Sequence, residues 1–306
     1  MGLKNLKVEI GKIKLDSPVI MASGTFGYGT EKFNFIDYKK IGAITTKTIT
    51  LQPWTGNPQP RIYETYSGMI NSIGLQNPGV FYFVKNILPV IKKNFKKVFV
   101  SITGKSEKEF IDIIRVLGKE KVDAIELNLS CPNYEKTQKM ISQDSDLTYK
   151  LIKSIKNETD IPLIAKLSPN VTDITEIAIS AEEGGVDIIS LINTVKGLSI
   201  DFKKMRIIDG GLSGGCIKPV GLKCVYEVYK VVKIPIIGIG GIINGMDAVE
   251  YFLVGASAIG IGSGLFTNSN IIEDVINSLI DFMKKKGKKN LKEITGLLNE
   301  KRGNFK

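Results

Sequence analysis

Histidine is absent from all 306 residues. That removes the side chain that most often moves protons near neutral pH, and the most frequent imidazole metal ligand. Cysteine is scarce. Cys131, Cys216 and Cys224 lie far apart with no C-x-x-C pair, which excludes the familiar zinc and iron–sulfur sites within one chain. Arginine is limited to Arg61, Arg115, Arg206 and Arg302. The formal net charge of +11 is therefore carried by lysine, without the bidentate side chain that favours phosphate and base recognition. The lysines are scattered, with local clusters at Lys92-Lys93, Lys96-Lys97 and from Lys284 to Lys289. They read as solvated helix faces whose field favours anionic small ligands and an acidic partner, not nucleic acid. No apolar run approaches the ~20 residues of a membrane-spanning helix. Without an apolar signal core at the N-terminus, and with an odd cysteine count, a cytoplasmic protein with no membrane partner is expected.

What is present is a rhythm. After a hairpin-like alternation around Gly11-Lys12, short β-rich runs recur at 18–23, 43–48, 98–102, 124–129, 163–167, 188–192, 236–239 and 258–261. Amphipathic helical stretches alternate with them, at 106–118, 146–157, 173–183, 220–231 and 244–253, and further helices follow at 271–285 and 291–299. Eight strands alternating with helices define an α/β fold, either doubly wound or a (β/α)8 barrel. Ser23, Lys47, Asn128, Lys166, Asn193, Gly240-Gly241 and Gly262-Ser263 all stand at strand C-termini. A barrel gathers those ends at one mouth, whereas a doubly wound sheet uses only the few beside its switch point. The expectation is a TIM barrel with an N-terminal hairpin, one domain over 1–306, and two long loops (49–78 and 194–218) over the C-terminal mouth.

Two glycine clusters at consecutive strand ends, Gly238 to Ile242 and Gly260 to Gly264, let backbone N–H groups approach an anion. Barrels commonly place a phosphate there. The cluster from Gly210 to Gly215 either closes over the same group or is a flexible loop. A phosphate site fits a sugar-phosphate isomerase or a flavin mononucleotide enzyme equally well. Lys47 and Lys166 separate them, because each interrupts an apolar strand, and a buried lysine is costly unless it is paired or meets an anion. A positive charge near a flavin pyrimidine ring favours hydride acceptance. The plainer alternative pairs these lysines with barrel carboxylates such as Glu126. Cys224, on an amphipathic helix, reads as packing, and Cys216 beside the glycines is undecided. Cys131 follows a strand end, precedes Pro132, and is flanked by Asn128, Ser130 and Asn133. With histidine missing, its thiol is a leading candidate base, provided the setting is electropositive.

These motifs resemble a known family. The run Asn128-Leu129-Ser130-Cys131-Pro132-Asn133 is similar to the active-loop signature of class 1 dihydroorotate dehydrogenases, and the segment from Asn71 to Gly79 to their substrate loop. Lys166 to Asp173, followed by Ile192-Asn193-Thr194, looks most like the class 1B catalytic subunit, and the resemblance runs from Ser23 to Phe266. It implies one FMN per chain and oxidation of (S)-dihydroorotate to orotate in pyrimidine synthesis, with Cys131 as base for the C5 proton. It implies substrate contacts from Lys47, Asn71, Ser72, Ile73, Gly74, Leu75, Asn128, Asn193 and Thr194. The implied FMN contacts are Ser23, Lys47, Thr48, Ser101, Asn128, Lys166, Ile192, Gly214, Gly240, Gly241, Gly262 and Ser263; Ser101 stands where the family pattern carries asparagine. It further implies a homodimer joined, as a heterotetramer, to a partner subunit whose FAD and iron–sulfur cluster pass electrons to NAD⁺. The alternatives are a class 1A-type enzyme using fumarate, and a tRNA dihydrouridine synthase, another FMN barrel with a cysteine before proline.

Overall fold

The computed structural model describes residues 2–31, 34–130 and 140–300. The chain opens with a hairpin of β1 (Val8–Ile10) and β2 (Ile13–Leu15), turned at Gly11, whose φ is +57°. Next come β3 (Val19–Met21) and β4 (Ala43–Thr45), then β5 (Ile62–Thr65) and β6 (Gly68–Asn71) in the first insertion. β7 (Val98–Ile102), β8 (Ala124–Asn128), β9 (Leu163–Leu167) and β10 (Ile188–Leu191) follow. The second insertion carries β11 (Val195–Asp201) and β12 (Arg206–Ser213), and the set ends with β13 (Ile236–Ile239) and β14 (Ala258–Ile261). Strands β3, β4, β7, β8, β9, β10, β13 and β14 pair in parallel, each with its successor, and β14 closes onto β3. The expected (β/α)8 barrel with an N-terminal hairpin is therefore observed.

Strand alternation splits the apolar residues between two cores. In β7, Phe99 points inward, while Val98, Val100 and Ile102 join the cluster beneath the helices. The inner cluster contains Phe99, Ala124, Ile164, Ile188 and Ile237, and it is stoppered by Ile10, Ile13 and Leu15 of the hairpin. The barrel floor is thus filled, leaving its C-terminal end as the open one.

The helices follow sequence rules closely. Helix 107–117 starts at Ser106, whose Oγ accepts from the Glu109 N–H at 3.4 Å, and buries Phe110, Ile113, Ile114 and Leu117 on one stripe. Asn244 caps helix 245–253, with Asp247 answering it in a capping box. Two expectations need correction. The stretch 291–299 is a 3-10 turn (Leu291–Glu293) and a separate helical turn (Leu297–Glu300), divided at Gly296, which has φ +72°. The two insertions are not loops throughout; each carries a pair of strands. β5–β6 and β11–β12 form a four-stranded antiparallel sheet in the order β11-β12-β6-β5, with Gly211 opposite Asn71. Apolar residues stand on both of its faces, so no clear period marked the strands, and the partner lies 140 residues away.

Phe99 is fully buried in the inner core. Phe99→Ala is expected to lower stability by about 3–5 kcal/mol, as aromatic truncations in closed cores do. A urea unfolding curve checks this, and a midpoint shift worth less than about 1 kcal/mol would show the barrel interior collapsing around the gap.

Candidate active site

The strand ends enclose a cavity of about 560 Å³, within the range of small-molecule sites. The inward positions explain its walls. Two residues beyond the apolar floor on each strand, the inward position turns polar: Ser101 on β7, Glu126 on β8, Lys166 on β9 and Ser190 on β10, the last two standing higher in the ladder than the first two. Two residues further, at the mouth, stand Asn128, Ser168 and Ile192.

The mouth is tied together by side-chain hydrogen bonds. Ser23 Oγ donates to the Thr46 carbonyl at 2.8 Å, and Thr48 Oγ1 lies 3.0 Å from Ser101 Oγ. Asn128 Nδ2 donates to Thr48 Oγ1 at 3.3 Å, and Asn193 Nδ2 donates to both Asn128 Oδ1 (3.3 Å) and Ser130 Oγ (3.0 Å). This belt fixes each amide's orientation while leaving further donors and acceptors toward the cavity, a suitable wall for a flat polar ring.

The four-stranded sheet roofs the mouth. Asn71 Nδ2 donates to the Gly211 carbonyl at 3.0 Å, joining the insertions. A Cβ on Gly210 would sit 2.2 Å from the Asn71 carbonyl oxygen, and one on Gly211 would sit 2.2 Å from Thr194 Oγ1. Gly210 permits backbone contact and Gly211 close approach of the Thr194 side chain; both belong to a strand, not to a flexible loop. The segment after Asn71 is held by Asn57, whose Nδ2 donates to Ser72 Oγ at 2.9 Å, and by Arg61, whose guanidinium donates to Gln76 Oε1 and to the Asn57 and Thr55 carbonyls.

Two loops offer an anion cradle. The backbone N–H groups of Gly241, Gly262 and Ser263 donate to no acceptor among the described residues. Gly241 has φ +70°, and a Cβ there would meet the Lys218 backbone nitrogen at 2.5 Å, so glycine is required. At Gly262 a Cβ would find nothing nearer than 3.9 Å; the space there belongs to the cavity. Asp247 braces the first loop, accepting from the Ile243 and Asn244 N–H groups at 2.9 and 3.1 Å and from Lys218 Nζ at 2.6 Å. Unpaired amides beside free space fit a phosphate group.

Positive charge is concentrated here. Burial pulls Lys166 below the ordinary lysine range, and Glu126 opposes that pull. Lys47 is also lowered, by burial first and by the Arg61 charge second. Desolvated ammonium groups facing a cavity are costly until an anion arrives.

Ser23, Thr48, Ile192, Gly240 and Ser263, with Lys47, Asn128, Lys166 and the residues from Asn71 to Leu75, Asn193 and Thr194, all line the cavity. Gly241 and Gly262 line it as well. Two expected cofactor contacts do not. Ser101 is fully buried behind Thr48, whose hydroxyl it supports. Gly214, with φ +106°, packs against Gly68 just past the end of β12, beside the first residue of β6. Cys131 lies outside the described residues. Cys224 is buried, its thiol pushed up to about 11 by desolvation, in accord with packing, and Cys216 is exposed. Sequence reasoning missed Asn57 and Lys196 in the insertions and Asn170 in the loop after β9; isolated polar residues in loops and insertions carry no signal of their own.

The family model of dihydroorotate dehydrogenase matches residues 5–283. A relative from Caldicellulosiruptor bescii, called dihydroorotate dehydrogenase B (NAD(+)), catalytic subunit, is 46% identical over 299 residues, covering 96% of this chain and 99% of its own. Proteins of the same name from Alkaliphilus metalliredigens and Bacteroides thetaiotaomicron are 44% and 43% identical, covering 96% and 97% of this chain and 99% of theirs. The chain belongs to the dihydroorotate dehydrogenase family.

Because the protein tolerates a Cβ at Gly262, Gly262→Ala is expected to leave stability within about 0.5 kcal/mol of wild type while weakening flavin binding about tenfold or more. Thermal unfolding of the flavin-free protein and flavin titration read the two effects separately, and unchanged flavin affinity would place the phosphate elsewhere.

Proposed function

We propose that this chain, as one barrel over residues 1–306, oxidises (S)-dihydroorotate to orotate in pyrimidine biosynthesis. FMN is the bound cofactor, and NAD⁺ is the final acceptor through a partner subunit. Family membership supports the activity and implies a flavin, and the names of the relatives support the NAD⁺-linked subunit type. One structural observation carries the assignment: an anion cradle, a buried lysine and an amide belt share a single cavity.

When bound, FMN supplies the acceptor for the hydride leaving C6 of the substrate. The remaining work falls to the chain's own residues. Gly240, Gly241, Gly262 and Ser263 hold the phosphate through backbone amides, and Lys166 supplies positive charge where the ring system gains electrons. Ser23, Thr48 and Ile192 complete the flavin-facing wall. Asn128, Asn193 and Thr194 orient the planar substrate, Lys47 meets its carboxylate, and Asn71 to Leu75 cover it under the sheet. Cys131, three residues beyond Asn128, takes the C5 proton. Loss of that proton and of the C6 hydride leaves the C5=C6 double bond of orotate.

Electrons must then leave the flavin. Three cysteines cannot supply the four thiolates of a typical iron–sulfur cluster, so the relay, FAD and cluster together, is assigned to the partner subunit. The proposed assembly is a catalytic homodimer with two such subunits, located in the cytoplasm. No helix among the described residues is long and apolar enough to cross a membrane.

Anaerobic mixing of the FMN-loaded protein with dihydroorotate is expected to bleach the flavin band within the mixing experiment; a band that stays yellow would refute the activity. Cys131→Ser is expected to bind FMN and orotate normally yet slow flavin reduction by about 10²–10⁴-fold near pH 7, the usual contribution of a positioned base. Raising the pH should recover part of that loss, because a serine hydroxyl is the weaker acid. Reduction at the wild-type rate in stopped-flow traces would remove the base assignment.

A further inference from the structure

Glu126 is a carboxylate only 2% exposed inside the barrel, on a strand that is otherwise apolar up to Asn128. Ser190 Oγ donates to its Oε2 over a long 3.5 Å. No direct ion pair joins Glu126 to Lys166, yet both line the same cavity. A buried carboxylate without a close cation is expensive, and nothing in the chemistry of dihydroorotate calls for a negative charge at this depth. Its neighbours point to a role. In the strand ladder Glu126 stands beside Ile164, while Lys166 stands beside Asn128, two residues nearer the mouth. On the other side of Lys166, β10 presents Ser190, and across the mouth β4 leads to Lys47.

We propose that Glu126 is a positioning residue that keeps the buried Lys166 in its cationic form, and thereby sets the reduction potential of the bound flavin. The inference rests on the flavin assignment above. Two effects of opposite sign compete. Directly, a carboxylate in the wall disfavours electron uptake, so removing it raises the potential. Indirectly, it stabilises the Lys166 ammonium against desolvation, so removing it releases the lysine proton and lowers the potential. Burial is the leading influence on Lys166 and Glu126 is the one opposing it. Lys166 is also nearer the mouth, so the loss of its charge outweighs the loss of the deeper one.

The test is the two-electron midpoint potential of the FMN-loaded protein between pH 6 and 9. For Glu126→Gln, the potential relative to wild type is expected to fall as pH rises. By pH 8 reduction should be at least tenfold less favourable, which is about 30 mV for a two-electron couple. In a Lys166→Met background the same substitution should produce no fall. A potential at or above wild type throughout, or the same fall without Lys166, would overturn the proposal. Should the glutamine variant not fold, Glu126→Asp keeps the charge and is expected to keep the wild-type potential; a drop of tenfold or more would overturn the role equally. Failure of the wild-type protein to take up flavin would instead overturn the functional reading itself. Wild-type flavin that dihydroorotate reduces, with an unshifted glutamine variant, would overturn this inference alone.

Discussion

Barrel closure is the constraint on which the rest of the molecule depends. Eight parallel strands bonded edge to edge leave no free edge, and every second side chain is forced inward. The floor accepts this with Phe99, Ile164, Ile188 and Ile237 under the hairpin's Ile10 and Ile13. Two residues up the same strands, the inward places hold Ser101, Glu126, Lys166 and Ser190. A polar layer so enclosed is tolerable only if its members answer one another or answer a ligand. The site is thus the upper part of the core, where apolar filling stops.

The amide belt follows from that geometry. Thr48, Asn128 and Asn193 stand at the ends of three different strands, yet hydrogen bonds link them in series. Each bond uses part of a side chain's capacity and orients the remainder toward the cavity. Ser101 shows the cost of reading positions one at a time. Its hydroxyl serves Thr48, which in turn faces the cavity, so its contribution is to hold a neighbour in place.

Much of the fold was legible because hydrophobic period and caps are local signals. β7, β9, β13 and β14 fall on the expected residues, and Ser106 and Asn244 cap the helices they precede. The roofing sheet was not legible. β11 exposes Leu198 and Ile200 while Val195 is half-buried, so hydrophobicity does not separate its faces, and the tie of its partner β12 to β6 spans most of the barrel in sequence. Register between distant insertions is a tertiary decision. The packing of Gly214 was hidden for the same reason: it sits between Ser213 and Gly215 in sequence, but its neighbour in space is Gly68.

By itself the sequence determined the chemistry on offer. A chain without histidine, with three separated cysteines, one lysine inside an apolar strand and another just beyond one, has few ways to move a proton and a hydride. Strand periodicity and strand-end polarity also pointed to the one mouth at which Lys47, Asn128, Lys166 and the strand-end glycines meet. Only the tertiary structure decided which of them share a wall, that a second sheet covers them, and that Glu126 and Lys166 are buried together without touching. The physical reason is that composition and period are properties of short stretches. Desolvation and mutual charge depend on residues brought close from forty or more positions apart.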